Sequence, residues 1–151
     1  MAVRTKMRRI ASSILLLLLA AVVAAPLLTA GARPEALGIY AAFSWVCHQR
    51  PERCWQLAGF PLAVCVRCLG LYAGALAGAL AGLRFSRPAF LVSAGLLGLE
   101  WGAEAAGFTA PQPVARLAVG LLAGFFAVSA LLTERRRSAT RSSWIGGAIR
   151  Q

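Results

Sequence analysis

The chain has 151 residues, of which 59% are hydrophobic and 14% are charged, and its mean hydropathy is +0.69. It holds 16 Lys and Arg against 5 Asp and Glu, so its formal net charge is +11. This composition excludes an ordinary soluble domain, and 4 Cys in this length are too few for a small disulfide scaffold. Such a charge favours nucleic acid or an acidic membrane surface as partner, and the positions of the charges decide between them.

The first apolar run, 10–30, follows a basic stretch at residues 4–9. Its length of about 21 residues suits a bilayer core of about 30 Å, whereas the apolar region of a cleavable signal peptide has about 7 to 15 residues. We therefore predict a retained first transmembrane segment, TM1 (10–30), after a cytoplasmic N-terminus (1–9). Small residues near Ala30 keep signal-peptide cleavage open as the alternative.

Three further apolar runs are each long enough to cross a bilayer. They are predicted as TM2 (62–83), TM3 (88–108) and TM4 (113–133), with short links at 84–87 and 109–112. Short links make consecutive helices antiparallel neighbours, so the predicted fold is an all-α, integral membrane, four-helix up-and-down bundle. The remaining loop, 31–61, contains an apolar part, 36–46, that is too short to span and is predicted to be interfacial or re-entrant.

The basic residues are distributed unevenly between the two sides of this predicted bundle. Residues 1–9, the link 84–87 and the tail 134–151 together carry eleven basic residues and one acid, whereas the other side carries five basic residues and four acids. Basic residues concentrate on the cytoplasmic side, so we predict a multi-pass protein of the cell inner membrane with both termini cytoplasmic and the loop 31–61 outside. The charge therefore indicates anionic lipid, contacted by a mobile tail, and no nucleic acid.

Glycines recur every four residues along two of the predicted helices, which allows close approach of a neighbouring helix. They are Gly70, Gly74, Gly78 and Gly82 in TM2, and Gly120 and Gly124 in TM4. We interpret them as helix-packing residues. Four short helices would form a complete carrier only as a homo-oligomer or with a membrane partner, and the sequence shows no internal repeat of the kind that inverted-repeat transporters have. A role as transporter subunit or accessory protein stays open.

All four Cys and the single His lie between positions 47 and 68. On a helix that starts near Leu62, Cys65 and Cys68 share a face, with Tyr72 one turn further along. Two thiolates at this spacing can hold a thiophilic metal or form a redox-active pair. Cys47 and His48 would complete a four-ligand set on the outer side.

Charged residues inside the predicted spans give a second indication of a site. Glu100 and Glu104 share one face of TM3, and Arg116 lies just inside TM4. Charges in the hydrocarbon region are costly unless they are paired or near water, so these three are the candidate catalytic residues of an outer cavity. A structural ion pair between Arg116 and one Glu is the alternative.

Two motifs resemble the domain of unknown function 2085 (DUF2085) family of small multi-spanning prokaryotic membrane proteins. They are Cys47-His48-Gln49 and Cys65-Val66-Arg67-Cys68-Leu69-Gly70-Leu71-Tyr72. The resemblance covers about positions 40 to 125 and implies an architecture but no activity. The sequence departs from the family pattern at three positions. Glu100 stands where Asp is usual, Trp101 where Gly is usual, and Cys54 where Ser is more frequent. The resemblance thus implies a shared set of Cys47, His48, Cys65 and Cys68.

Two hypotheses follow for the chemistry. In the first, Cys47, His48, Cys65 and Cys68 bind zinc or another thiophilic metal, because three Cys and one His form a common zinc set. Gln49, Arg53, Arg67 and Tyr72 would support that site, the arginines by offsetting the charge of the thiolates. In the second, Cys47 and Cys54 exchange electrons with Cys65 and Cys68 in a quinone-linked thiol-disulfide oxidoreductase.

Overall fold

The structure, a computed structural model, describes residues 2–82, 87–108 and 112–148, and of these the side chains of 2–4 and 133–148 are outside the description. Over these residues the chain is all-α, with five α-helices, one short 3-10 helix and one small hairpin. The elements are α1 (Ala2–Ala30), α2 (Glu35–Ser44), the 3-10 helix (Pro51–Arg53), β1 (Gln56–Leu57), β2 (Phe60–Pro61), α3 (Val66–Ala81), α4 (Arg87–Ala105) and α5 (Pro113–Ala148). The predicted links, apart from Arg87 and Gln112, lie outside the described residues.

Two of the described helices are long and apolar enough to cross a membrane. They are Thr5–Ala30, within α1, and Pro113–Leu132, the first part of α5. The apolar helix α3, Val66–Ala81, is shorter than a full span. The described helices therefore support two spans, and the four-span bundle and the cytoplasmic termini stay predictions.

Helix α5 extends well beyond the predicted end of TM4. It continues to Ala148, through most of the segment that the composition predicts as a mobile tail. After Pro113 the sequence contains no further Pro, and Ala, Arg and Glu are good helix formers, so the helix is not interrupted where the apolar run ends. In the loop 31–61, α2 covers most of the predicted interfacial piece 36–46.

Helix α3 begins at Val66, four residues after the start of the predicted TM2. The chain before Val66 is not helical: β2 pairs with β1 in antiparallel register, the Leu62 N–H donates to the carbonyl oxygen of Trp55 at 2.8 Å, and Ala63 and Val64 form a bend. Cys65 is extended, with φ −68° and ψ 160°, and serves as the N-cap of α3. Cys65 therefore lies directly before the helix, and Cys68 lies in its first turn.

Helices α3 and α5 pack backbone to backbone through glycine. Any Cβ placed on Gly70, Gly74 or Gly78 would collide with carbonyl groups of α5, and any Cβ on Gly120 or Gly124 would collide with those of α3. Small residues at this spacing permit such close helix contacts. Gly82 has a different role: it ends α3 in the left-handed conformation, with φ 60°.

Helix α1 packs against α3 and fixes both ends of it. Near the C-terminal end of α3, the Arg8 guanidinium donates to the carbonyl oxygen of Ala79 at 2.8 Å and also to that of Leu80. These carbonyls have no partner within the helix, and a cation there is favoured by the helix dipole. Near the other end, Val22 and Ala25 are buried with Leu62, Ala63 and Val64 in the core. The basic N-terminal stretch and the cysteines thus lie at opposite ends of α3.

Candidate functional site

The loop that carries Cys47 is fixed by Gln49. Its backbone is left-handed, with φ 48°, and its side-chain amide donates to the carbonyl oxygens of Tyr40 and Ala63, both at 2.8 Å. The Cys47 N–H donates to the carbonyl oxygen of Phe43 at 2.9 Å, which extends the last turn of α2. These bonds fasten the loop between α2 and the segment that leads into α3. Cys47 is consequently placed against the start of α3.

Three cysteine sulfurs converge at the N-terminus of α3. The Sγ atoms of Cys47, Cys65 and Cys68 all lie within 4.8 Å of one another, and Cys47 is 5% exposed. The backbone N–H of Cys65 donates to Sγ of Cys47 at 3.2 Å. Hydrogen bonds from the Cys65 and Cys68 thiols, together with that N–H, hold the pKa of Cys47 well below its usual range. A thiolate is also favoured beside the positive end of a helix dipole.

Two predicted site residues lie outside this group of three sulfurs. His48 is exposed and does not belong to the group, although it lines the cavity beside it. Cys54 is buried near this group without belonging to it, and its burial, followed by the nearby Cys47, raises its pKa to about 11. All four cysteines are free thiols, so the structure shows neither of the disulfides that the redox hypothesis uses.

The predicted supporting residue Tyr72 is part of the wall behind the sulfurs. Its ring packs on that of Phe43 with a centroid distance of 6.3 Å and an interplanar angle of 58°. Together with Cys65 and Cys68 it borders the core that contains Cys47 and Phe43. Tyr72 therefore contributes packing between α2 and α3, the two helices whose ends supply the cysteines.

Beside the sulfurs, Glu104 is the centre of an ion-pair network. Its carboxylate accepts from Arg67 at 2.9 Å and from Arg116 at 3.2 Å, with a second, shorter contact to Arg116. Arg53 approaches the same carboxylate at 3.4 Å. The side chains of Arg116 and Glu104 are 3% and 8% exposed, so this pair is shielded from solvent.

Glu100 is bound by two of the same arginines. Arg67 donates to one of its oxygens through Nε at 3.0 Å and through Nη2 at 2.6 Å, and Arg116 lies 3.9 Å from the other oxygen. Arg67 thus joins α3 to both acids of α4, and Arg116 joins α4 to α5. All three candidate catalytic residues are therefore in one network.

The sequence interpretation assigned Arg67 and Arg53 only to the thiolates and missed their bonds to Glu104. One signal was available for Arg67, because it is a charged residue at the start of a predicted span and such a residue needs a partner. Glu100 and Glu104 are the only acids within the predicted spans, so they were the available partners. Nothing in the sequence places Arg53 near α4.

A cavity of about 530 Å³ connects the sulfurs to the ion-pair network. Its wall includes the three clustered cysteines, Glu104 and Trp101, and four arginines: Arg50, Arg53, Arg67 and Arg116. This volume lies within the range of about 300–1,000 Å³ that is typical of small-molecule sites. The lining thus offers three soft sulfur donors and the cationic groups of four arginines.

Comparison with known families identifies the chain. The family described as predicted membrane protein (DUF2085) matches residues 47–130, which include all of the cysteines, Glu100, Glu104 and Arg116. The chain belongs to the DUF2085 family. This DUF2085 protein is therefore a predicted membrane protein, in agreement with its two span-capable helices.

Curated relatives of the DUF2085 chain come from archaea and carry no assigned activity. An uncharacterized protein of Methanocaldococcus jannaschii is 48% identical over 40 residues, which are 26% of each chain. An uncharacterized protein of Methanothermobacter thermautotrophicus is 46% identical over 33 residues, 22% of this chain and 30% of that protein. The similarity thus covers less than a third of either relative. No solved structure matches the chain.

Proposed function

We propose that this DUF2085 protein binds one thiophilic metal ion, zinc, through Cys47, Cys65 and Cys68. The observation that carries the proposal is the convergence of three sulfurs within 4.8 Å of one another. In a tetrahedral zinc site with Zn–S bonds of about 2.3 Å, the sulfurs lie about 3.8 Å apart, so a small closure of this group forms three of the four bonds. Thiolate ligands also suit Cu(I), which is the second metal to consider.

The fourth position of the metal is assigned to the cavity and not to His48. His48 was the predicted fourth ligand, but its side chain is exposed and lies outside the group of sulfurs, which face the cavity. Zinc sites with three protein ligands and one exchangeable position are typical of catalytic or ligand-binding centres, whereas structural sites have four protein ligands. The ligand count therefore favours a metal centre that can take a further ligand.

We infer that the site lies on the outer side of the cell inner membrane, in a multi-pass protein with both termini in the cytoplasm. Arg8, in the basic N-terminal stretch, contacts the C-terminal end of α3, while the cysteines lie at its N-terminal end. Sixteen helical residues separate these ends by about 24 Å, most of the bilayer core of about 30 Å. Basic residues favour the cytoplasmic side, so the cysteines belong to the opposite side.

Elemental analysis of protein purified without oxygen tests the metal proposal. We expect about one equivalent of zinc or copper per chain, lost in Cys65→Ser and in Cys47→Ser and retained in the matched variant Cys54→Ser, because Cys54 is outside the sulfur group. Retention in His48→Ala would agree with the assignment of the fourth position to the cavity. A metal-free protein in which Cys47 and Cys54 form a disulfide that quinone re-oxidises would contradict the proposal and favour the oxidoreductase.

A further inference from the structure

The cavity beside the cysteines has more positive than negative charge. Its arginines and the acids bound to them are Arg50, Arg53, Arg67, Arg116, Glu100 and Glu104, four cations against two anions. A divalent metal on three thiolates adds one negative charge. One positive charge therefore remains in the cavity after the metal is bound.

The excess positive charge is carried by arginine N–H groups that are free to contact a ligand. Arg50 lines the cavity, is exposed, and forms no ion pair with any residue that the structure describes. The acids use Nε and Nη2 of Arg67 and of Arg116, and no hydrogen bond within the described residues uses Nη1 of either one. Each guanidinium carries five N–H donors, so the arginines of the network have donors left over after binding both acids.

From this charge and donor excess, we infer that the cavity binds a small molecule or headgroup that carries an oxyanion, a phosphate group, with one oxygen at the fourth position of the metal. This inference rests on the proposed metal site. Guanidinium groups recognise the paired oxygens of phosphate by parallel hydrogen bonds, which a spherical anion such as chloride cannot accept. The volume of about 530 Å³ leaves room for more than the phosphate itself. Trp101, on the cavity wall and 59% exposed, offers an apolar surface to the remainder.

Glu100 and Glu104 have a defined part in this site. By pairing with Arg67 and Arg116 they hold these guanidiniums in fixed positions on α3 and α5. They also lower the positive charge of the cavity, so that one phosphate group suffices to neutralise it. Arg50 has no such partner among the described residues, and it is therefore the arginine whose removal changes anion binding with least effect on the fold.

The test uses the full chain in phosphatidylcholine nanodiscs, loaded with Co²⁺ in place of zinc as a spectroscopic probe. Sulfur-to-cobalt charge-transfer absorption reports the three thiolates, and the ligand-field bands report the fourth ligand. Inorganic phosphate is titrated at constant ionic strength, with chloride as the reference anion. Nanodiscs that contain phosphatidic acid distinguish a lipid headgroup from free phosphate.

We expect phosphate, or phosphatidic acid, to shift the ligand-field bands while the charge-transfer band persists. Arg50→Gln should weaken the anion response about ten-fold, the loss of one charge-assisted hydrogen bond. The matched variant Arg33→Gln should leave it unchanged, because Arg33 is exposed and pairs with Glu35 outside the cavity. Both variants should bind Co²⁺ as the native protein does.

The results that would overturn the inference differ in whether they leave the metal proposal standing. If the charge-transfer band forms but the ligand-field bands respond to neither form of phosphate, the oxyanion site is contradicted and the metal proposal stays intact. The same holds if the ligand-field bands respond equally in Arg50→Gln and Arg33→Gln. Ligand-field bands that change in His48→Ala before any phosphate is added would assign the fourth position to His48 and would likewise contradict the oxyanion site. If no charge-transfer band forms at all, the metal proposal itself fails, and the inference fails with it.

Discussion

The backbone N–H of Cys65 donates a hydrogen bond to Sγ of Cys47 at 3.2 Å. This hydrogen bond joins the loop 31–61 to the N-terminus of α3 and connects two cysteines that are 18 positions apart. An N–H donor directed at sulfur favours the thiolate, which is the form that binds metal. The cysteine group is thus assembled by backbone geometry as well as by side chains.

Gln49 is expected to position Cys47 for metal binding. Gln49→Ala removes two hydrogen bonds and leaves the carbonyl oxygens of Tyr40 and Ala63 without these donors. We expect the affinity for Co²⁺ or zinc to fall about ten-fold, measured by competition with a chromophoric chelator.

Gln49→Gly is the matched control for the backbone at this position. Because φ of Gln49 is 48°, glycine relieves the left-handed conformation but still lacks the amide. If the hydrogen bonds position Cys47, the glycine variant also binds metal weakly. Native affinity in Gln49→Gly would show instead that the side-chain amide has no such role.

The sequence predicts a site built on Cys47, Cys65 and Cys68, but it does not predict that His48 lies outside the group of sulfurs. The spacing of Cys65 and Cys68 predicts that both lie at one end of the same helix. Cys47 and His48 are adjacent in the sequence, so both were predicted to complete the ligand set. The structure separates that pair, since Cys47 faces α3 and His48 is exposed. The sequence does not reveal this difference, because it depends on the tertiary packing of the loop, in which Gln49 has a left-handed backbone.

Glu104 is expected to be the most important acid for stability. Glu104→Gln leaves the buried Arg116 with only the more distant carboxylate of Glu100, and breaking a buried pair from one side costs about 3 kcal/mol. We expect the free energy of unfolding in detergent to fall by about that amount and to fall less in Glu100→Gln, because Glu100 is more exposed and lies 3.9 Å from Arg116.

Glu35→Gln provides the matched control for the loss of one carboxylate. Glu35 pairs with Arg33 at the surface, where both side chains are more than half exposed, so its removal should leave the unfolding curve unchanged. Equal unfolding curves for Glu104→Gln and Glu35→Gln would contradict the structural role of the network.

The network also shows where sequence reasoning reaches its limit. That Glu100 and Glu104 share a helix face follows from their spacing, and a pair with Arg116 was considered. The ion pair of Arg53 with Glu104 could not be predicted. Arg53 lies in the 3-10 helix of the loop 31–61, and the position of that helix near α4 depends on tertiary packing. The later start of α3 at Val66 depends on the hairpin, whose strands of two residues leave little trace in the sequence.

The contact between α3 and α5 should tolerate no added methyl group. A Cβ on Gly74 would lie closer than 3.0 Å to three backbone atoms of Leu121, so Gly74→Ala must move one helix away from the other. We expect a loss of about 1–3 kcal/mol in unfolding free energy, as for overpacked cores. The matched variant is Gly95→Ala in α4, where the added Cβ meets open space and the change to Ala favours the helix. A destabilised Gly95→Ala with an unaffected Gly74→Ala would contradict this packing.

Topology is best tested at α2 and not at Cys54. Cys54 is buried and its pKa is raised to about 11, so little thiolate is present near neutral pH and a thiol reagent reacts slowly. Leu37→Cys, in a Cys54→Ser background, presents a thiol at a position that is 74% exposed. We expect a membrane-impermeant maleimide to label it in intact cells and to label Thr5→Cys only after lysis. The reverse order of labelling would contradict an outer cysteine site.

The most direct test of the central claim is X-ray absorption at the metal edge of the purified, anaerobic protein. The account predicts a first shell of three sulfur atoms at about 2.3 Å and one lighter oxygen or nitrogen atom, and loss of the bound metal in Cys68→Ser. A first shell made only of oxygen and nitrogen, or a spectrum that Cys68→Ser leaves unchanged, would contradict a metal centre built on Cys47, Cys65 and Cys68.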